Sequence, residues 1–201
     1  MGFNKLRIYL SIFVISICAC FIREYECQLI LDQTLFVLMS QEGHSDIATN
    51  NKNNLEASLK TFGSENPHVI LLHKDLPIVG GWTIFPILKP LLKNYPEWIK
   101  WFVFLDEKGS VDPTILSELL NKHDIRNEVF IGRALQDQHP VSLHHFNTNL
   151  EMEYPDFAAG FVLSRSLIQQ LSNMEWPKIA NAPVQQERDP NWYYTIGNIS
   201  S

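Results

Sequence analysis

The 201-residue sequence has little cysteine, no cluster of basic residues and no apolar run of full membrane-spanning length. Of its three cysteines, Cys18 and Cys20 lie inside an N-terminal apolar run, which leaves Cys27 without an intrachain disulfide partner. The sixteen lysine and arginine residues are scattered, and the net charge is −6. Because nucleic acid is bound by lysine and arginine gathered on one face, this distribution argues against a nucleic acid partner.

The first residues predict entry into the secretory pathway. Lys5 and Arg7 precede an uncharged, mostly apolar run over residues 8–22, which is typical of a secretory signal. The run is shorter than the roughly 20 residues that a helix needs to cross a bilayer, although local thinning of the bilayer would let it serve as an uncleaved anchor. Residues 1–23 are therefore a cleaved signal peptide or a signal anchor, and we expect the rest in the lumen of the endoplasmic reticulum or at its membrane.

The remaining chain has the composition of one ordinary globular domain. Hydrophobic residues make up 45% of the sequence and charged residues 19%, which excludes a disordered chain. Roughly 180 residues follow the N-terminal run, enough for one domain with a sizeable core. Residues 43–54, rich in polar side chains, are interpreted as a surface loop.

Apolar runs and helical periodicities alternate, which favours an α/β sandwich with a largely parallel central sheet. The predicted strands cover residues 34–40, 68–73, 100–105, 128–132, 140–146 and 158–163. The predicted helices cover residues 53–62, 113–123 behind an Asp112 cap, and a segment that begins after Ser164. Residues 83–95 also have helical spacing, but Pro86 and Pro90 predict two short pieces there.

Three motifs in a fixed order carry a resemblance to a known family. They are residues 101–111 (WFVFLDEKGSV), 129–132 (VFIG) and 154–164 (YPDFAAGFVLS). In order and spacing they resemble the core of the Fringe-related β-1,3-glycosyltransferases. Further stretches at residues 81–88, 130–137 and 143–146 resemble the family members that add glucose to O-linked fucose on thrombospondin type 1 repeats.

The resemblance covers about residues 34–175 and is closest to the amino-terminal of two Fringe-like domains in such an enzyme. It implies a GT-A-like (Fringe-like) fold over residues 30–179, with residues 180–201 as a divergent tail that leaves the fold incomplete at its C-terminus. It also implies a UDP-glucose donor, an acceptor glycoprotein with thrombospondin type 1 repeats, and Mn²⁺ held against the donor diphosphate by successive aspartates. The family's chemistry is expected in the carboxyl-terminal domain.

The acidic turn after the third predicted strand is where the family holds this metal ion. Asp106 and Glu107 match acids of the motif, and Lys108 stands where a third acid is expected. A lysine ammonium about 4 Å from a divalent cation would be repelled by several kcal/mol at an effective dielectric constant near 20. We interpret the turn as a degenerate metal site or a solvated turn. The alternative is a metal-free site in which Lys108 neutralises the diphosphate.

The remaining candidate site residues follow from the same resemblance. An inverting transfer needs a general base, and Asp189 is the candidate near the segment where active relatives place it. Asp156 is a candidate for the acceptor side, although a Pro-Asp turn is equally explained by chain reversal. Gly160 is a second candidate there, or a position of close packing. Asn198 begins a glycosylation sequon.

Three functions stay open at this point. The first is a non-catalytic Fringe-like module that positions an acceptor protein or a catalytic domain, and the altered acidic turn and missing base favour it. The second is a working UDP-sugar hexosyltransferase, which only the resemblance supports. The third is a truncated product that keeps the fold only in part.

Overall fold

The central sheet is built from apolar strands, most of which are buried on both faces. A computed structural model describes residues 25–76, 84–137 and 152–173. The strands are β1 (Thr34–Met39), β2 (His68–Leu71), β3 (Trp101–Asp106), β4 (Phe130–Gly132), β5 (Ala134–Asp137), β6 (Met152–Pro155) and β7 (Phe161–Ser164). Five of them form one sheet in the order β2-β1-β3-β7-β4, and β5 and β6 form a separate antiparallel pair. β1 is parallel to β2 and β3, whereas β7 is antiparallel to β3 and β4.

Helices cover both faces of the five-stranded sheet. Within the described ranges they are α1 (25–32), α2 (Ser45–Phe62), α3 (Leu72–Asp75), α4 (Ile84–Asn94), α5 (Pro113–Leu120) and α6 (Arg165–Asn173), with short 3₁₀ helices at Glu42–His44 and Phe157–Ala159. On β3, Phe102 and Phe104 pack with α3, α4 and α6, while Trp101, Val103 and Leu105 pack with α1, α2 and α5. The α/β sandwich expected from the sequence is confirmed, and its continuous apolar strands follow from burial on both faces.

The interpretation of residues 43–54 as a loop is wrong. Residues 42–44 form a 3₁₀ helix, and α2 begins at Ser45. The polar composition conceals a sparse inner face, on which Ala48 is fully buried and Leu55 and Leu59 continue the buried stripe. Among residues 45–54 only Ala48 is buried, and the other side chains are exposed or half-buried. Because little of this part of α2 faces the core, a polar sequence can form it.

The prediction of two short helices over residues 83–95 is also wrong, because α4 is continuous. Pro86 lies in the first turn, where a backbone N–H has no intrahelical partner to lose. Pro90 lies inside the helix and removes one backbone hydrogen bond. The helix is held instead by its buried face, which consists of Ile84, Ile87, Leu88 and Leu91.

Other predicted elements are confirmed with shifted ends. The last predicted strand begins at Phe161, after a 3₁₀ turn, and Ser164 caps α6 by accepting a hydrogen bond from the Leu167 N–H at 3.2 Å. The strand predicted at residues 140–146 and the N-terminal residues 1–23 lie outside the described ranges. Among the described residues, no helix combines the length and apolarity needed to cross a membrane.

The Asp112 cap supports a first testable prediction. Its carboxylate accepts hydrogen bonds from the N–H groups of Thr114 and Ile115 at 2.8 and 3.2 Å, and Pro113 opens α5 behind it. Asp112→Ala is expected to lower the free energy of unfolding by about 1 kcal/mol, measured by urea denaturation. Asp112→Asn keeps the acceptor and should recover most of that loss. Equal losses in both variants would contradict the capping role.

Candidate functional site

The C-terminal ends of the three parallel strands lie at one edge of the sheet. In the register of β1 and β3, Met39 pairs with Asp106, so the residues that follow both strands leave the sheet side by side. β2 ends at Leu71 and continues into α3. In open α/β sheets this edge is the usual position of a ligand.

Backbone hydrogen bonds close the acidic turn tightly after β3. The Gly109 N–H donates to the Asp106 carbonyl oxygen at 2.8 Å, and the Asn51 side chain on α2 donates to the carbonyl oxygens of Glu107 and Gly109 at 3.1 and 2.8 Å. A Cβ added at Gly109 would lie 3.1 Å from the Asp106 carbonyl oxygen, so the turn leaves little room for a side chain there. α2 therefore fixes the shape of the turn.

Glu107 is the buried acid of the turn. The residue is 8% exposed, and its Oε1 lies 2.5 Å from Nδ1 of His44, at the end of the 3₁₀ helix before α2. Its other oxygen, Oε2, is buried without a hydrogen-bond partner among the described residues. A buried carboxylate is costly unless it is paired, so the imidazole is the group that stabilises Glu107 in this position.

Asp106 has a different orientation and different partners. Side chains alternate along a strand, so Asp106 leaves β3 on the face opposite Leu105, away from α2. Its Oδ2 accepts the N–H of Lys108 at 3.2 Å, while the Lys108 side chain is exposed. The two carboxylates of the turn are thus engaged by separate groups.

A second histidine is paired at the same edge. Ser40, which follows β1, is buried, and its Oγ lies 2.7 Å from Nδ1 of His73 in α3. Nε2 of His73 is buried without a hydrogen-bond partner among the residues the structure describes. Ser40, His44, Asn51 and His73 were not predicted as site residues. The polar residues Ser40 and His73 at the ends of two predicted strands were a usable signal, whereas His44 and Asn51 had none.

Asp156 stabilises a local turn between β6 and β7. Its N–H donates to the Arg133 carbonyl oxygen at 2.8 Å, and its Oδ1 accepts a long hydrogen bond from the Ala159 N–H at 3.4 Å. Its Oδ2 lies 4.0 Å from Nε of the largely exposed Arg133. These contacts show that Asp156 stabilises the chain reversal between β6 and β7. A contact between Asp156 and an acceptor stays a prediction.

Gly160 lies against the end of β3, close to the acidic turn in the sheet. Its φ of 76° is a left-handed conformation that favours glycine. A Cβ here would lie 3.0 Å from both Leu105 Cδ2 and the Phe104 carbonyl oxygen. The expectation of close packing at Gly160 agrees with this geometry.

Within residues 25–76, 84–137 and 152–173, no group of three or more His, Cys, Asp and Glu side chains could hold a metal ion. Asp106 and Glu107 are adjacent in the turn but do not converge on a shared ligand position with a third acid. The proposed base, Asp189, and the sequon residue Asn198 lie outside the described residues.

Comparison with known proteins agrees with this fold. The Fringe-like family model matches residues 86–190, just over half of the chain, so the chain belongs to the Fringe-like glycosyltransferase family. It is 33% identical over 147 residues to the Beta-1,3-glucosyltransferase of Mus musculus, and this matched region covers 71% of this chain and 30% of the mouse protein. It is 34% identical over 143 residues to the human Beta-1,3-glucosyltransferase, covering 69% of this chain and 29% of the human protein. The chain therefore spans about 30% of the length of these relatives.

Proposed function

We propose that this chain is a non-catalytic Fringe-like module of the β-1,3-glucosyltransferase type. In this proposal it serves the transfer of glucose from UDP-glucose to O-linked fucose on thrombospondin type 1 repeats, by positioning the acceptor glycoprotein or a catalytic domain. The family membership and the similarity to two proteins named Beta-1,3-glucosyltransferase support the reaction type. The N-terminal apolar run supports a location in the endoplasmic reticulum lumen or at its membrane.

The observation that carries the non-catalytic assignment is the geometry of the acidic turn. Mn²⁺, like other hard divalent cations, is bound by several oxygen ligands that converge on it. Here Glu107 is buried against His44, Asp106 accepts a hydrogen bond within its own turn, and Lys108 replaces the third acid. The residues present do not fit the metal site that the family implies.

An active UDP-sugar hexosyltransferase is the second candidate function. It is favoured by the position of Asp106 at the ligand-bearing edge of the sheet and by the exposed Lys108, which could approach a diphosphate as a point charge. In that case Asp189 would have to act as the base.

The test is a calorimetric titration of the full chain, purified in mild detergent, with UDP in the presence and absence of Mn²⁺. The expected result is no manganese-dependent binding, together with no glucose transfer to an O-fucosylated thrombospondin repeat. Asp106→Asn is the matched variant, because it removes one charge and keeps the size of the side chain. Manganese-dependent UDP binding that is lost in Asp106→Asn would overturn the proposal and favour the enzyme.

A further inference from the structure

The contact between His44 and Glu107 is more than a surface ion pair. Glu107 is buried, whereas the His44 side chain is 54% exposed, so the imidazole reaches inward from the surface to the carboxylate. With a proton on Nδ1, the imidazole donates a hydrogen bond to the carboxylate. The hydrogen bond joins residues 63 positions apart and ties the acidic turn to the entrance of α2.

Asn51 reinforces the same connection from the next turns of α2. Its amide donates to two carbonyl oxygens of the acidic turn, on either side of Lys108. The backbone of the turn and the Glu107 carboxylate are therefore both held by residues 44–51. Reorienting Glu107 towards Asp106 would break its hydrogen bond to His44 and leave a buried carboxylate unpaired during the movement.

We infer that His44 takes up the Glu107 carboxylate that a divalent cation would need, and that His44 and Asn51 together lock the acidic turn in a metal-free form. His44 and Asn51 are positioning residues in this inference, which rests on the proposed function. Lys108 is then not the only barrier to metal binding, since replacing it would leave Glu107 bound to the imidazole. Replacing Lys108 by an acid and removing the His44 imidazole should give three adjacent acids and leave the Glu107 carboxylate without its hydrogen-bond partner.

The test is a titration of the full chain with Mn²⁺ alone, followed by the electron paramagnetic resonance signal of the free ion. Wild type and Lys108→Asp are expected to leave the signal close to that of buffer. The double variant His44→Ala with Lys108→Asp should bind Mn²⁺ at least about tenfold more tightly than Lys108→Asp alone, because only it frees Glu107. Adding Glu107→Gln to the double variant should abolish the gain.

Two matched variants separate the lock from a general effect of charge. Lys122→Asp makes the same charge change at an exposed residue after α5, and combined with His44→Ala it should not bind Mn²⁺. His44→Gln combined with Lys108→Asp keeps a side-chain N–H donor for Glu107 and should behave like Lys108→Asp alone. Equal Mn²⁺ affinity in Lys108→Asp and the double variant would overturn the inference while leaving the proposed function intact.

Binding of Mn²⁺ and UDP by the wild type, lost in Asp106→Asn, would overturn both the proposed function and this inference. Should the double variant fail to fold, nitrogen-15 NMR of the wild type tests the contact directly. A hydrogen-bonded Nδ1 proton on His44 that is lost in Glu107→Ala, which removes the acceptor oxygen, is the expected result. Absence of such a proton in the folded wild type would overturn the inference.

Discussion

Replacement of Arg165 by alanine is expected to lower the free energy of unfolding by about 4 kcal/mol. Arg165 is the first residue of α6 and is 7% exposed. Its guanidinium donates four hydrogen bonds of 3.0 to 3.3 Å to the carbonyl oxygens of Leu92, Tyr95, Pro96 and Ile99. These oxygens belong to the end of α4 and the loop that leads to β3, so one side chain binds four carbonyl groups of this connection. Alanine would remove this donor from all four, and of them the Pro96 oxygen would keep the Ile99 N–H at 3.1 Å.

The measurement is urea denaturation of the wild type and of Arg165→Ala, with Arg165→Lys as the conservative variant. A lysine ammonium is a compact donor and lacks the planar fork that reaches four oxygens, so Arg165→Lys should recover only part of the loss. Arg126→Ala is the matched control, because Arg126 is exposed and bonds to the neighbouring Asp124. Its stability should stay at the wild-type value. A stable Arg165→Ala would show that the connection holds without the guanidinium.

The second large effect is expected for Gly160→Ala, which should cost about 2–4 kcal/mol. Part of the cost is the left-handed backbone conformation at φ 76°, which an L side chain rarely adopts. The remainder is the contact of the new methyl group with Leu105 and the Phe104 carbonyl oxygen at 3.0 Å. Backbone atoms of β3 cannot move aside without disturbing its pairing with β1.

Gly43→Ala is the control for this substitution, since a Cβ at Gly43 meets no atom within 4 Å and its φ is not positive. Its free energy of unfolding should equal that of the wild type or rise slightly. Gly160→Ala should also shift the NMR signals of Leu105 and Asp106, because it presses on the strand that carries the acidic turn. A Gly160→Ala variant as stable as Gly43→Ala would contradict the close packing described here.

The sequence was sufficient to locate the central strands because these are buried on both faces. The runs TLFVLM in β1 and WFVFLD in β3 are apolar over nearly their whole length, and a strand between two helical layers requires this composition. The apolar run FVLS of β7 did not indicate the direction of that strand in the sheet. A continuous apolar strand has the same appearance in either direction, so only the three-dimensional pairing shows that β7 is reversed.

The site was predictable only where its residues are consecutive. Asp106, Glu107 and Lys108 follow one predicted strand, and their position at the sheet edge follows from that strand. Their partners His44 and Asn51 lie 63 and 56 residues before Glu107. Both belong to the polar segment 43–54, in which no helical spacing of apolar residues is evident. Their role depends on tertiary packing of α2 against the turn, and local pattern cannot supply it.

The late position of β7 in the sequence affects how the chain folds. β3 lies in the middle of the sheet, but one of its two neighbours, β7, is synthesised more than fifty residues after it. Until Phe161–Ser164 has left the ribosome, β3 presents an open apolar edge, and β4 has no strand to pair with. The interval between β3 and β7 is therefore the period in which the nascent chain is most exposed to aggregation, and the time at which chaperones would matter most.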